Sequence, residues 1–329
     1  MSKIAIIFTG GTIAMQVDES NGLAKPALSG EDIIANLSDQ IDTDDIEIHN
    51  FGNYPSPHIG FDEMFSLYSV VEKVIKSKVI DGVVITHGTD ILEETAYFID
   101  CMYGGLKPIV LVGAMKNSSE LGYEGLANLV DAIMLAKSSS AKGLGVLVAM
   151  AGEIHAARDV TKTHTSSIET FKSPGKGPIG IIDGNKVIFY RSVKRRLTVK
   201  PKKVNAKVSL IKVVAGMNGD FVQYSIRNNY QGIVIEAFGR GNLPPAVAEK
   251  LKEAIKLNLV VVICSRCQSG RVSPDYGYLG GANDLRQAGA ILAGSMSGIK
   301  ARIRLSTALS SGLDRQAIRM MFNSDDGLN

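Results

Sequence analysis

Two short turns hold most of the side chains whose types and spacing could carry covalent chemistry. The first, Thr9-Gly10-Gly11-Thr12-Ile13-Ala14, follows directly on an apolar run, and Thr86-His87-Gly88-Thr89-Asp90 follows another. A threonine hydroxyl becomes a nucleophile once a neighbouring base takes its proton. Glycines beside it permit positive φ and close approach of backbone to ligand. Thr89 and Asp90 are expected at a helix start, where free N–H groups and the helix dipole attract negative charge. Thr89 then offers N–H groups and a hydroxyl to an anion, and Asp90 offers a carboxylate to an ammonium, a pairing that suits an α-amino acid. The plainer readings are that Asp90 caps the helix and that Gly10-Gly11-Thr12 is an ordinary turn. A third stretch, Arg158-Asp159-Val160-Thr161-Lys162-Thr163, supplies a lysine. Surface charge is its usual role, but a lysine partly desolvated in a cleft can act as a general base toward a hydroxyl.

Such groups must be held at strand ends. Short apolar runs alternate with amphipathic stretches, the pattern of an α/β fold with a parallel sheet covered by helices. Strands are expected at residues 4–8, 82–86, 109–112 and 144–148, with helices at 61–77, 91–103 and 124–136 between them. Leu92, Ala96, Ile99 and Tyr103 recur at helical spacing and define one apolar face. In such sheets ligands bind beyond the carboxyl ends of the strands, which puts Thr12 at the rim of a cleft. A Gly-rich turn after strand one also suggests a nucleotide site, yet neither G-x-G-x-x-G nor G-x-x-x-x-G-K-[ST] occupies that turn. The pattern breaks after 187–190. A second set follows, with strands at 208–214, 232–235 and 260–263 and helices at 244–256, 299–309 and 314–322. The expected division is a larger N-terminal α/β catalytic domain (1–190), a basic linker (191–207) and a smaller C-terminal α/β domain (208–329).

Bulk composition agrees. A chain of 329 residues with 45% hydrophobic content is long enough for two globular cores. The net charge of +3 argues against nucleic acid as a partner. Much of that excess lies in Lys194, Arg195, Arg196, Lys200, Lys202, Lys203 and Lys207, which fits a solvated linker better than a phosphate patch. The run Ile4-Ala5-Ile6-Ile7-Phe8 is too short for a signal-peptide core and reads as a buried strand. Nothing approaches the ~18 apolar residues of a membrane span, so a cytoplasmic protein with no membrane partner is expected. Three cysteines make no disulfide framework. Cys264-Ser265-Arg266-Cys267 has C-x-x-C spacing, but it lacks a second ligand pair for zinc and follows a strand instead of opening a helix.

Taken in order, Thr9 to Ala14, Ile85 to Asp90 with Glu93-Glu94-Thr95-Ala96-Tyr97-Phe98, Val112-Gly113-Ala114-Met115 and Asp159 to Thr163 resemble the bacterial L-asparaginase family, cytoplasmic type I-like. The likeness continues through Phe171-Lys172-Ser173-Pro174 and Gly239-Arg240-Gly241-Asn242-Leu243, nearly the whole chain. It implies an amidohydrolase that releases ammonia and L-aspartate from L-asparagine through a threonine acyl-enzyme. By that resemblance Thr12 would be the nucleophile, Thr89 and Lys162 a second hydroxyl–amine pair, and Asp90 the partner of the substrate ammonium. Ser56, within Tyr54-Pro55-Ser56-Pro57-His58, would contact the substrate α-carboxylate. Asn242 would support a neighbouring subunit's site, since family members complete their sites in dimers, often paired into tetramers. Family members often carry a tyrosine in the mobile loop after the first motif. Residues 15–26 here contain none, which leaves the base for Thr12 open between Lys25 and Tyr54. The same loop, containing Gly22 and ending at Pro26, is expected to act as a lid.

The chemistry explains these groups. A carboxamide has a poor leaving group, and covalent catalysis splits its hydrolysis into acylation and deacylation. The oxyanion needs fixed donors, each contributing ~3 kcal/mol; N–H groups near Thr89 and at the Gly113–Ala114 turn are candidates, with Ala114 in the substrate site. No metal or cofactor is required, the five histidines show no ligand spacing, and His87 reads as structural. The alternatives are a glutaminase-asparaginase of broad preference, the asparaginase-like subunit of a tRNA-dependent amidotransferase, and a non-catalytic amino-acid-binding homologue. The amidotransferase subunit should carry an extra N-terminal domain, and a binder would need Asp90 but not Lys162.

Overall fold

The computed structural model describes residues 3–18, 20–193 and 197–323. Two compact units span Met1–Arg195 and Arg196–Asn329. In the first, eight strands form one sheet. Five are parallel, in the spatial order Ile46–Asn50, Lys3–Phe8, Ile80–Thr86, Ile109–Val112 and Val146–Met150. Glu153–Ala156, Gly180–Asp183 and Lys186–Phe189 then extend it antiparallel. The central strands are apolar on both faces because helices cover both, and Ile4, Ala5, Ile6 and Ile7 are fully buried. Of the covering helices, Leu92–Met102 buries the expected Leu92, Ala96 and Ile99, with Tyr103 buried just past its end. It also buries Thr95, Tyr97, Phe98, Cys101 and Met102, so it is enclosed on nearly every side instead of along one apolar face.

The order of the parallel strands decides where a ligand can bind. Lys3–Phe8 lies between the strand that follows it in sequence, Ile46–Asn50, and the next one, Ile80–Thr86. The winding direction therefore reverses between Lys3–Phe8 and Ile80–Thr86, and the connections leave on opposite faces. A crevice opens beyond the carboxyl ends of those two strands. Phe8 pairs with Thr86 in register, so both threonine turns emerge side by side at that crevice.

The second unit has a parallel four-stranded sheet in the order Val208–Lys212, Gly232–Ala237, Val260–Ser265 and Ile291–Leu292. Pro245–Lys256 and Gly298–Ser310 are among its helices. Of the basic run, Lys194, Arg195 and Arg196 lie outside the described residues, while Lys200, Lys202, Lys203 and Lys207 are exposed. Val199, Val204 and Ala206 between them are buried, and the Asn205 and Ala206 N–H groups donate to Ser310 Oγ at 3.1 and 3.0 Å. The 197–207 stretch therefore packs onto the second unit. Among the described residues Cys101, Cys264 and Cys267 form no disulfide. Among the described residues no helix is long and apolar enough to cross a membrane.

The segment expected to be a mobile loop is a β-hairpin: Met15–Asp18 pairs antiparallel with Leu23–Pro26. Asp18 and Asn21 build its turn by accepting from the N–H groups of Ser20 and Leu23, and Gly22 takes a φ of 70°. Asn-Gly is a strong hairpin signal, and it was present in the sequence.

Candidate active site

Close backbone approach brings the loops of the crevice together. Thr9 Oγ1 donates to the Thr86 carbonyl at 2.8 Å, bracing the first turn against the second strand. The Tyr54 N–H donates to Thr9 O at 2.8 Å, which ties in the 51–58 loop. Gly11, at φ 87°, lies so close to the second turn that a Cβ there would sit 2.6 Å from Gly88 Cα. Gly88 faces Ser56, and a Cβ on it would stand 2.7 Å from both Ser56 Cβ and Oγ. Thr12 follows Gly11 at once and opens a single 3₁₀ turn, Thr12–Ala14. Thr12, the Thr89 turn and Ser56 are therefore neighbours because glycine occupies positions 11 and 88.

The third stretch enters the same site. Lys162 Nζ donates to Thr89 Oγ1 at 2.9 Å and to Asp90 Oδ1 at 2.8 Å. The Lys162 side chain is 16% exposed and that of Asp90 59%, so the pair has a sheltered end and a wet end. Thr89 is buried. Asp90 does not cap the helix: the cap position is Ile91, with no side-chain cap bond. The Asp90 carboxylate is instead held by Lys162 and opens to solvent. Glu93, buried in the first helical turn, accepts from Thr161 Oγ1 at 2.9 Å and from the Lys162 N–H at 3.2 Å. It fixes the backbone from which Lys162 reaches out. Asp90, Glu93, Lys162, Thr163, His164 and Thr165 line a cavity of about 370 Å³.

His87 is fully buried, with Nδ1 against the Gly88 carbonyl at 2.8 Å and Nε2 against Thr95 Oγ1 at 3.0 Å. Burial pushes its pKa down to about 4. A neutral ring donates from Nδ1 and accepts at Nε2, so both nitrogens brace the turn. Ala114 is buried, and its neighbour Gly113 backs onto the His87 carbonyl and the Thr89 methyl group. Asn128 holds that turn by donating to Gly113 O at 3.1 Å and accepting from the Ala151 N–H at 3.0 Å.

The two candidates for the Thr12 base make contacts of their own. Lys25 pairs across its own hairpin with Asp18 at 2.8 Å and is largely exposed. That lysine, with the Ser20 hydroxyl and N–H, holds the Asp18 carboxyl well below the usual range. The Tyr54 ring folds over Gly52 and packs against Phe51, centroids 5.9 Å apart. Asn242 lies in the second unit, in a bridge with Phe238, and its buried Oδ1 has no hydrogen-bond partner among the described residues. Reasoning from sequence missed Glu93 and Asn128. Glu93 had a signal, an acidic residue in the first turn of the helix that follows the second motif.

A doubly wound unit that gathers hydroxyl, amine and carboxylate groups at its switch point presents the kinds of groups that acyl-transfer hydrolysis uses. Residues 3–195 match the family described as Asparaginase, N-terminal, and residues 207–322 match the Glutaminase/Asparaginase C-terminal domain. An L-asparaginase of Bacillus licheniformis is 34% identical over 94% of this chain and 96% of its own. A probable periplasmic L-asparaginase of Haemophilus influenzae is 34% identical over 98% of this chain and 93% of its own. The crystal structure of a probable cytoplasmic L-asparaginase from Campylobacter jejuni superposes with a TM-score of 0.86 at 32% identity, covering 98% of this chain and 99% of that one. The chain belongs to the L-asparaginase family and is an enzyme that hydrolyses amide bonds.

Proposed function

We propose that the enzyme hydrolyses L-asparagine to L-aspartate and ammonia through an acyl-enzyme on Thr12. The observation that carries this reading is the Thr89–Lys162–Asp90 constellation at the switch-point crevice. Its amine touches a hydroxyl and a carboxylate at once, an arrangement that can relay a proton and also receive an ammonium. Thr12 Oγ1 attacks the side-chain carboxamide carbon, the C–N bond breaks and ammonia leaves. Water, activated by the Thr89–Lys162 pair, then hydrolyses the ester and restores the threonine. Asp90 takes the α-ammonium at its exposed face, and Ser56 takes the α-carboxylate. N–H groups at Thr89 and Ala114 face the oxyanion, where each fixed donor contributes ~3 kcal/mol.

The Oδ1 of Asn242, buried without a hydrogen-bond partner among the described residues, supports a role for that residue across a subunit boundary, in a homodimer or homotetramer. The cytoplasmic assignment draws on the Campylobacter structure's description. Glutamine is the competing substrate, because one methylene in a pocket is worth only about 1–3 kcal/mol. The test is ammonia release from L-asparagine and L-glutamine side by side, for the wild type, Thr12→Ala and Lys162→Met. The expected result is asparagine turnover that both substitutions abolish. A folded wild type inert toward both amides would overturn this choice of substrate, and equal turnover of the two would make the protein a glutaminase-asparaginase.

A further inference from the structure

The turn that carries Thr12 is gripped from one side. Tyr123, half-buried, donates its hydroxyl to the Ile13 carbonyl at 2.9 Å, one residue past Thr12. The Ser118 N–H and hydroxyl both donate to Met15 O, at 3.2 and 3.0 Å. Glu124, next to Tyr123, turns the other way: its carboxylate accepts from the N–H groups of Met115 and Lys116, directly after Ala114. Tyr123 and Glu124 thus join the Thr12 turn to the Ala114 turn, two loops that are far apart in sequence. The ring has space made for it, because a Cβ on Gly125 would collide with the Tyr123 ring.

We infer that Tyr123 is a positioning residue for the nucleophile: its hydroxyl fixes the Ile13 carbonyl and thereby sets the direction in which Thr12 presents its side chain. A carbonyl locks the peptide plane that follows its own residue, so a donor on Ile13 O limits rotation of the turn containing Thr12. Burial, with the Glu124 charge beside it, raises the Tyr123 pKa to about 12. The hydroxyl therefore keeps its proton, and remains a donor, throughout the neutral range. The arrangement gives this chain a tyrosine at the nucleophile's turn although its 15–26 segment has none.

This inference rests on Thr12 being the nucleophile, and its test separates the two. Tyr123→Phe keeps the ring and removes the donor. Misdirection of Thr12 slows acylation, so kcat for L-asparagine should fall by about tenfold or more while KM stays within about twofold. The acyl-enzyme, once formed, is unchanged, so its partition between water and added hydroxylamine should equal that of the wild type. Ser119→Ala removes a comparable bond, Ser119 Oγ to the Val17 N–H at 3.1 Å, farther along the exposed hairpin. It should leave kcat within about twofold. A wild-type kcat in Tyr123→Phe overturns the inference, as does an equal loss in Ser119→Ala. Failure of Tyr123→Phe to fold would assign the hydroxyl a structural role and overturn it too. Turnover retained by Thr12→Ala would refute the nucleophile itself, whereas its loss beside a normal Tyr123→Phe refutes only the positioning.

Discussion

Replacing Gly88 with alanine tests whether Ser56 grips the substrate. The new Cβ would stand 2.7 Å from both Ser56 Cβ and Ser56 Oγ. Carbon atoms settle at about 3.5–4.0 Å, so Ser56 must retreat by about 1 Å. A hydroxyl that hydrogen-bonds a charged carboxylate contributes about 1.5–3 kcal/mol, and that displacement forfeits it. The expected loss in kcat/KM for L-asparagine is about 10–150-fold, chiefly as a raised KM. Ser56→Gly removes both clashing atoms, so Gly88→Ala in that background should add almost nothing. Steady-state kinetics on the four members of this double-mutant cycle measure the coupling directly. Additive effects, or an unchanged KM in Gly88→Ala, would show that Ser56 does not bind the substrate.

Acid stability follows from His87. Native His87 is held near a pKa of about 4 by burial, against 6.5 when free. The unfolded chain therefore binds a proton below about pH 6.5 that the native state refuses until about pH 4. Stability from this group is complete above the higher value and is lost as pH falls through the window, by about 3 kcal/mol in all. Urea denaturation across this range should give a shallower pH dependence for His87→Gln than for the wild type, and equal slopes would refute the linkage. His155, also buried and shifted downward, is common to both proteins and cancels. Lys25→Ala should leave kcat within about twofold, because that ammonium is occupied by Asp18. A loss of more than about a hundredfold would make Lys25 the missing base.

What the sequence made legible was whatever local pattern determines. Apolar runs leading into Thr9 and Thr86 located the strands and their carboxyl ends, and a spacing of three and four residues located the helix Leu92–Met102, though not its burial on nearly every side. The short strands Glu153–Ala156 and Gly180–Asp183 have four residues each, too few for a period to show. Ile46–Asn50 did carry an alternating pattern, Ile-Glu-Ile-His, and could have been found. The pairing of Lys162 with Thr89 and Asp90 crosses more than seventy residues. Such a contact is set by strand order, which no local window contains, so the motif resemblance alone placed these residues in one site. Asn128 and Tyr123 escaped for the same reason, since their partners lie on other loops.

Rapid acid quench during turnover of L-asparagine, followed by mass spectrometry of proteolytic peptides, would trap the proposed ester on Thr12. The expected result is an aspartyl adduct on the peptide containing Thr12, absent in Thr12→Ala and accumulating in Lys162→Met to the extent that deacylation is slowed. Full turnover with no adduct, or an adduct on the Thr89 peptide instead, would contradict it.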